Sequence, residues 1–125
     1  MTSNLLGDHE NTVRTYYDLS RVRREMGDLK ESLDSLAKAA NMRSKLLGDH
    51  EDTARNYHEL GVMQHEMGDL KGASQSLEKA ANMRSKMLGD HHEHTISSLN
   101  EFRAVRIKLP LERSSLLGKV FRWKN

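Results

Sequence analysis

Apolar residues fall along this chain in two alternating helical patterns, and the pair of patterns recurs. In DTARNYHELGVMQHEM, residues 52–67, Tyr57, Leu60, Met63 (or Gln64) and Met67 return at three- and four-residue steps. That spacing puts them on one face of a helix. Tyr16, Leu19, Val22 and Met26 hold the same places earlier in the chain. A second pattern, from about Leu29 to Leu47, lines up Leu29, Leu33, Leu36 and Ala40, with Met42 or Arg43 beyond. Its later counterpart offers Leu70, Ala73, Leu77, Ala80 and Ala81.

The stop signals agree with this division. Gly27 and Gly68 end the first helix of each pair, and Gly48 and Gly89 end the second. Glycine enters the left-handed conformation of a helix terminus without steric cost. Asp28 and Asp69 follow at once as N-caps for the next helix. Glu31 completes a D-x-x-E variant of the capping box, while Gly72 leaves the second box incomplete. The alanine pairs Ala39–Ala40 and Ala80–Ala81 carry little bulk, so a neighbouring helix can approach closely. Enlarging one to Leu is expected to cost about 1–3 kcal/mol.

The two pairs are copies. LLGDHE stands at Leu5 to Glu10 and again at Leu46 to Glu51, and MLGDHHE at Met87 to Glu93. The period is 41 residues, and about 26 of 41 positions agree between residues 5–45 and 46–86. A fixed period of this size marks stacked helical repeats. The predicted division is 1–11, the end of a preceding helix and a joint; 12–47, repeat 1; 48–88, repeat 2; 89–109, the first helix of repeat 3; and 110–125, a basic tail. LLGDHE is read as a helix end, a glycine stop and a helix start. Asp8, His9 and Glu10 could also be taken for a metal or proton-transfer cluster. Duplication explains His9, His50 and His91 more simply, and acids in a first turn suit the helix dipole.

The unit from Tyr57 through Ala80, Y-x-x-L-G-x-x-x-x-x-M-G-D-L-x-x-A-x-x-x-L-x-x-A, resembles the tetratricopeptide repeat. The matching places are Tyr57, Leu60, Gly61, Gly68, Asp69, Ala73, Leu77 and Ala80. The first copy matches at Tyr16, Leu19, Gly27, Asp28, Leu36 and Ala39, and departs at Ser20 and Ser32, both small. The period exceeds the family's commonest length, and the surplus lies in the second helix and the LLGDHE joint. That looks like the long-repeat subclass of kinesin light chain and nephrocystin-like arrays, with Glu10 and Glu51 where the subclass usually has proline. In the third copy, after one inserted residue, Leu99 answers Tyr57, Phe102 answers Leu60, and Arg103 stands where Gly61 was.

The resemblance implies an all-α fold, a right-handed α-solenoid of antiparallel helix pairs with about two and a half repeats. It implies a protein-binding scaffold rather than an enzyme. Its concave groove, lined by the first helix of each pair, transfers to Arg14, Tyr17, Asp18, Arg21 and Arg24 in copy one. Copy two supplies Arg55, His58, Glu59, Val62 and His65, and copy three Asn100 and Ala104. Four arginines on that face suit an acidic peptide or helix, because Arg holds a carboxylate through two parallel hydrogen bonds. A merely solvated charged face is the competing account.

Composition narrows the classes. The chain has 125 residues, 36% of them hydrophobic and 30% charged, with net charge +2. It has no cysteine, which excludes disulfides and thiolate metal sites. No signal segment or long apolar run is present, so a cytoplasmic location is the default. From Arg103 onward seven basic residues face one acid, Glu112, leaving the body mildly acidic. The tail SSLLGKVFRWKN mixes apolar and basic residues and could contact a membrane or RNA. Its three basic residues are too few for firm anchoring, so this is a weaker alternative. His91 and His94 in HHEH are the best metal candidates, but no cysteine or further ligand accompanies them, and no metal or other cofactor is expected. No phosphate-binding, nucleophile-elbow or H-E-x-x-H motif occurs, so no catalytic residue is assigned. Arrays usually need about three repeats for stability, so marginal stability or self-association through uncovered end faces is expected. A structural spacer, or a piece of a longer array with no ligand of its own, is the alternative role.

Overall fold

A computed structural model describes the backbone of residues 2–109 and the side chains of residues 10–109. It contains five helices: α1, Thr2–Glu25; α2, Leu29–Leu47; α3, Glu51–Glu66; α4, Leu70–Leu88; and α5, Glu93–Lys108. Successive helices pack on one another, and α3 also touches α5 lightly. This is an all-α solenoid of stacked helix pairs, with no strand among the described residues.

The turns inside the two complete pairs are built alike. Gly27 and Gly68 have φ of +83° and +87°. The Asp28 amide returns to the Arg23 carbonyl and the Asp69 amide to the Gln64 carbonyl, at 2.9 Å each. These bonds close the paired-hydrogen-bond motif that lets a helix stop at glycine. Asp28 then accepts the Glu31 amide at 3.4 Å, and Asp69 accepts the Gly72 amide at 3.0 Å.

The joints between pairs use histidine. His50 Nδ1 accepts the Asp52 amide at 3.1 Å and caps α3. In the third copy the inserted residue passes this task to His92, whose Nδ1 accepts the His94 amide at 3.0 Å. The first LLGDHE behaves differently: α1 runs unbroken through Gly7, so no joint forms there. A joint is fixed by two helices packing across it.

The core lies between the copies. Leu36 and Ala40 of α2 receive Tyr57, Leu60 and Met63 of α3, with Ala80 behind. Ala73 and Leu77 of α4 receive Val105 of α5, with Val62 and Phe102 at the edge. Close approach is needed at Gly61, where an added Cβ would lie 2.5 Å from Leu77 Cγ. The serines of copy one substitute for this contact with a bond: Ser32 Oγ donates to the Ser20 carbonyl at 2.5 Å. The stripe of α1 is much more open than that of α3, with Val22 50% and Met26 77% exposed. Among the described helices only α2 packs on α1. The face equivalent to Tyr57–Leu60–Met63 therefore has no second helix to cover it. At the other end Ile107 is likewise exposed.

Candidate binding face and the polar joint behind it

Side chains tie the first helices of successive pairs into a row. Tyr17 Oη donates to Glu59 Oε1 at 3.1 Å, and Arg24 reaches Glu66 at 3.4 Å, linking α1 to α3. His65 Nε2 lies 2.9 Å from Lys108 Nζ, and His94 Nδ1 lies 3.4 Å from Glu51 Oε1, linking α3 to α5. Partners are separated by 42 or 43 residues, about one repeat, so equivalent turns of the three helices stand side by side.

The residues assigned to the groove divide on this row. Arg14 and Arg21 are exposed and make no ion pair with a described residue. Arg24 is held by Glu66, and Arg55 by Asp52 at 2.8 Å within its own helix. Tyr17 and Glu59 satisfy each other. Burial and the Glu59 carboxylate beside it hold the Tyr17 phenol above its ordinary value. Val62 turns toward the Ala73–Leu77–Val105 cluster and is half-buried, part core and part surface. His65 joins Glu66, Gly68, Leu70 and Lys108 around a shallow depression. Asp18 and Arg21 line another with Val22 and Glu25. Asn100 is exposed and Ala104 half-buried. The row thus carries free positive charge mainly on α1, and balanced charge on α3.

His58 is the groove residue with most structure behind it. Its Nδ1 lies 2.9 Å from Ser98 Oγ of α5. The same hydroxyl accepts from Arg84 Nη1 of α4 at 3.0 Å, and that nitrogen also reaches the His94 carbonyl at 3.2 Å. Arg84 is only 6% exposed, and its Nε lies 3.7 Å from Glu51 Oε1. Burial lowers the guanidinium's pKa, and Glu51 opposes the shift. Burial, then Arg84, lowers His58 below its usual value. The joint before α3 has a simpler version: Arg43 donates to Asn56 Oδ1 at 3.3 Å.

Sequence reasoning did not assign Arg84, Ser98, Glu66 or Lys108 a role. For Arg84 there was a signal: Arg43 and Arg84 are the same residue in both copies, within a run, AANMRSK, that duplication left unaltered. Among the described residues no group of three or more His, Asp or Glu is placed to hold a metal ion, and none forms around His91 and His94. The side chains of Asp8 and His9, and the basic tail 110–125, lie outside the described residues. No described helix is long and apolar enough to cross a membrane.

Helix pairs stacked at a fixed period, with long polar side chains bridging the first helices, define a repeat scaffold. The family model described as Tetratricopeptide repeat matches residues 22–86, and the chain belongs to that family. No curated protein matches the chain. Tetratricopeptide repeats generally mediate protein–protein interaction and are typically non-enzymatic.

Proposed function

We propose that this protein is a cytoplasmic interaction scaffold whose row of first helices forms a concave groove for an acidic peptide or helix of a partner. The supporting observation is the unequal pairing of charge along the row. Arg24 and Arg55 are neutralised within the protein, while Arg14 and Arg21, two helical turns apart, remain exposed. Tyr17 stands between them with its hydroxyl fixed by Glu59. A partner carboxylate meeting Arg14 or Arg21 displaces no internal ion pair. The 41-residue period and its long second helices favour the long-repeat subclass of kinesin light chain-like arrays.

The test is fluorescence polarisation of the chain against peptides of graded charge, with Arg14→Glu/Arg21→Glu as the reversed-charge variant. Acidic peptides should bind, and the variant should lose at least tenfold in affinity while keeping its helicity. Equal binding by the variant, or preference for basic peptides, would contradict the proposal.

The stripe of α1, with Tyr16 and Leu19 half-buried and Val22 and Met26 exposed, favours a second reading, in which the unit stacks in a longer assembly or on another copy. On α3 the equivalent stripe is buried by a leucine–alanine face. Sedimentation equilibrium separates the two. Association that Val22→Glu/Met26→Glu abolishes would support stacking. A concentration-independent monomer mass would leave binding through the groove as the stronger reading.

A further inference from the structure

The chain of bonds behind His58 spans three helices and centres on one hydroxyl. Arg84 Nη1 of α4 donates to Ser98 Oγ of α5, at 3.0 Å. The serine hydroxyl has one hydrogen of its own to give, and His58 Nδ1 of α3 stands 2.9 Å away. With the neutral ring's proton on Nε2, Nδ1 accepts that hydrogen; with it on Nδ1, the serine oxygen accepts from both neighbours through its two lone pairs. An imidazolium would set two like charges, the ring and the Arg84 guanidinium, on one hydroxyl oxygen, where they repel. No water-exposed alternative is at hand for Arg84, which is almost fully buried.

We propose that the His58–Ser98–Arg84 chain is an acid-sensitive latch that fastens α5 to α3 and α4 only while the His58 ring is neutral. The charges around the ring do not compensate for protonation. From α4 comes Arg84; from α5 come His94, which also disfavours a cation, and Glu101, the one group that favours it. No charge of α1 or α2 is among those acting on it. On α3 itself Glu51 is engaged by Arg84 and His94. The direct backbone contact between α3 and α5 is slight, so side chains join these two helices: the latch, the His65–Lys108 and Glu51–His94 bridges, and the packing of Val62 with Val105.

The sign follows from linkage. The folded protein holds His58 below the unfolded value of 6.5, so the unfolded chain takes up the proton first as pH falls. Stability from the latch is present above 6.5 and is lost as pH drops from there through the lowered folded value. The prediction concerns one end of the molecule: α5 should loosen while α1 and α2 stay packed.

Two measurements on the full chain test this. The first is an NMR titration of the His58 ring in the unaltered protein. The second is amide hydrogen exchange at about pH 7.5 and about pH 5.5, corrected for intrinsic chemistry, in the unaltered protein and in His58→Gln. Glutamine can accept from Ser98 and has no charge to gain. The expected result is a ring that titrates below 6.5. Protection at Ser98 and Val105 should fall at acid pH relative to Leu36 and Ala39, and His58→Gln should abolish that fall. Three results would each overturn the proposal: a ring that titrates at or above 6.5, α5 protection that does not change with pH, or an equal loss in His58→Gln. Should the variant fold poorly, the ring titration decides alone.

Discussion

Gly61 offers a sharp test of the packing, because local propensity and tertiary packing predict opposite signs there. It lies within α3, where replacing glycine by alanine normally stabilises a helix by about 1 kcal/mol. A Cβ at this position would meet Leu77 Cγ at 2.5 Å, Leu77 Cδ2 at 2.9 Å and the Ala73 carbonyl oxygen at 3.3 Å. Leu77 is fully buried and cannot swing into solvent. Overpacking of this kind costs about 1–3 kcal/mol, so Gly61→Ala should destabilise by about 1 kcal/mol net. In a Leu77→Ala background, itself costing about 2–5 kcal/mol, both Leu77 clashes are gone and only the 3.3 Å approach to the Ala73 carbonyl remains. Gly61→Ala should then stabilise by up to about 1 kcal/mol. Urea denaturation followed by circular dichroism, in a fixed concentration of stabilising osmolyte, measures all four corners of the cycle. Stabilisation by Gly61→Ala in the unaltered background would refute the reasoning, since it would mean that α3 and α4 stand further apart than described.

Two other perturbations probe the joints and caps. Arg84→Met removes charged hydrogen bonds to Ser98 and the His94 carbonyl and should cost about 2–3 kcal/mol by thermal denaturation. Arg43→Met, with its single 3.3 Å bond to Asn56, should cost about 1 kcal/mol; equal losses would show that the two joints do not differ as described. Asp69→Ala should cost about 1 kcal/mol through loss of the α4 cap, and more than Asp28→Ala, whose capping bond is longer; urea midpoints showing the reverse order would contradict the cap geometry.

The architecture was legible because its determinants are periodic and doubled. Leu36, Leu77, Tyr57 and Leu60 declare their burial through three- and four-residue spacing, and the glycine–aspartate pairs mark each turn. The burial of whole stripes was less legible. Periodicity says that Val22 and Met26 share a face with Tyr16, but whether a helix covers that face depends on a neighbour no spacing within α1 describes. The same limit explains the polar row. Arg24 looks like a free cation in one dimension, and only stacking brings Glu66 beside it. Arg84 was hidden for a different reason. A basic residue on a helix ordinarily faces water, and here the joint folds α5 over it. The histidine caps were missed because aspartate and glutamate beside them looked like sufficient first-turn chemistry.

The central functional claim is that a partner meets the exposed side of the first helices. Backbone chemical-shift mapping tests this most directly, with isotopically labelled protein titrated with the tightest-binding acidic peptide from the charge-graded set. The account predicts that shifts concentrate at Arg14, Tyr17, Arg21, Arg55 and His58, while Lys45, Lys71 and Glu78 of the second helices stay still. Shifts confined to the second helices, or none at a peptide concentration that saturates the polarisation signal, would contradict it.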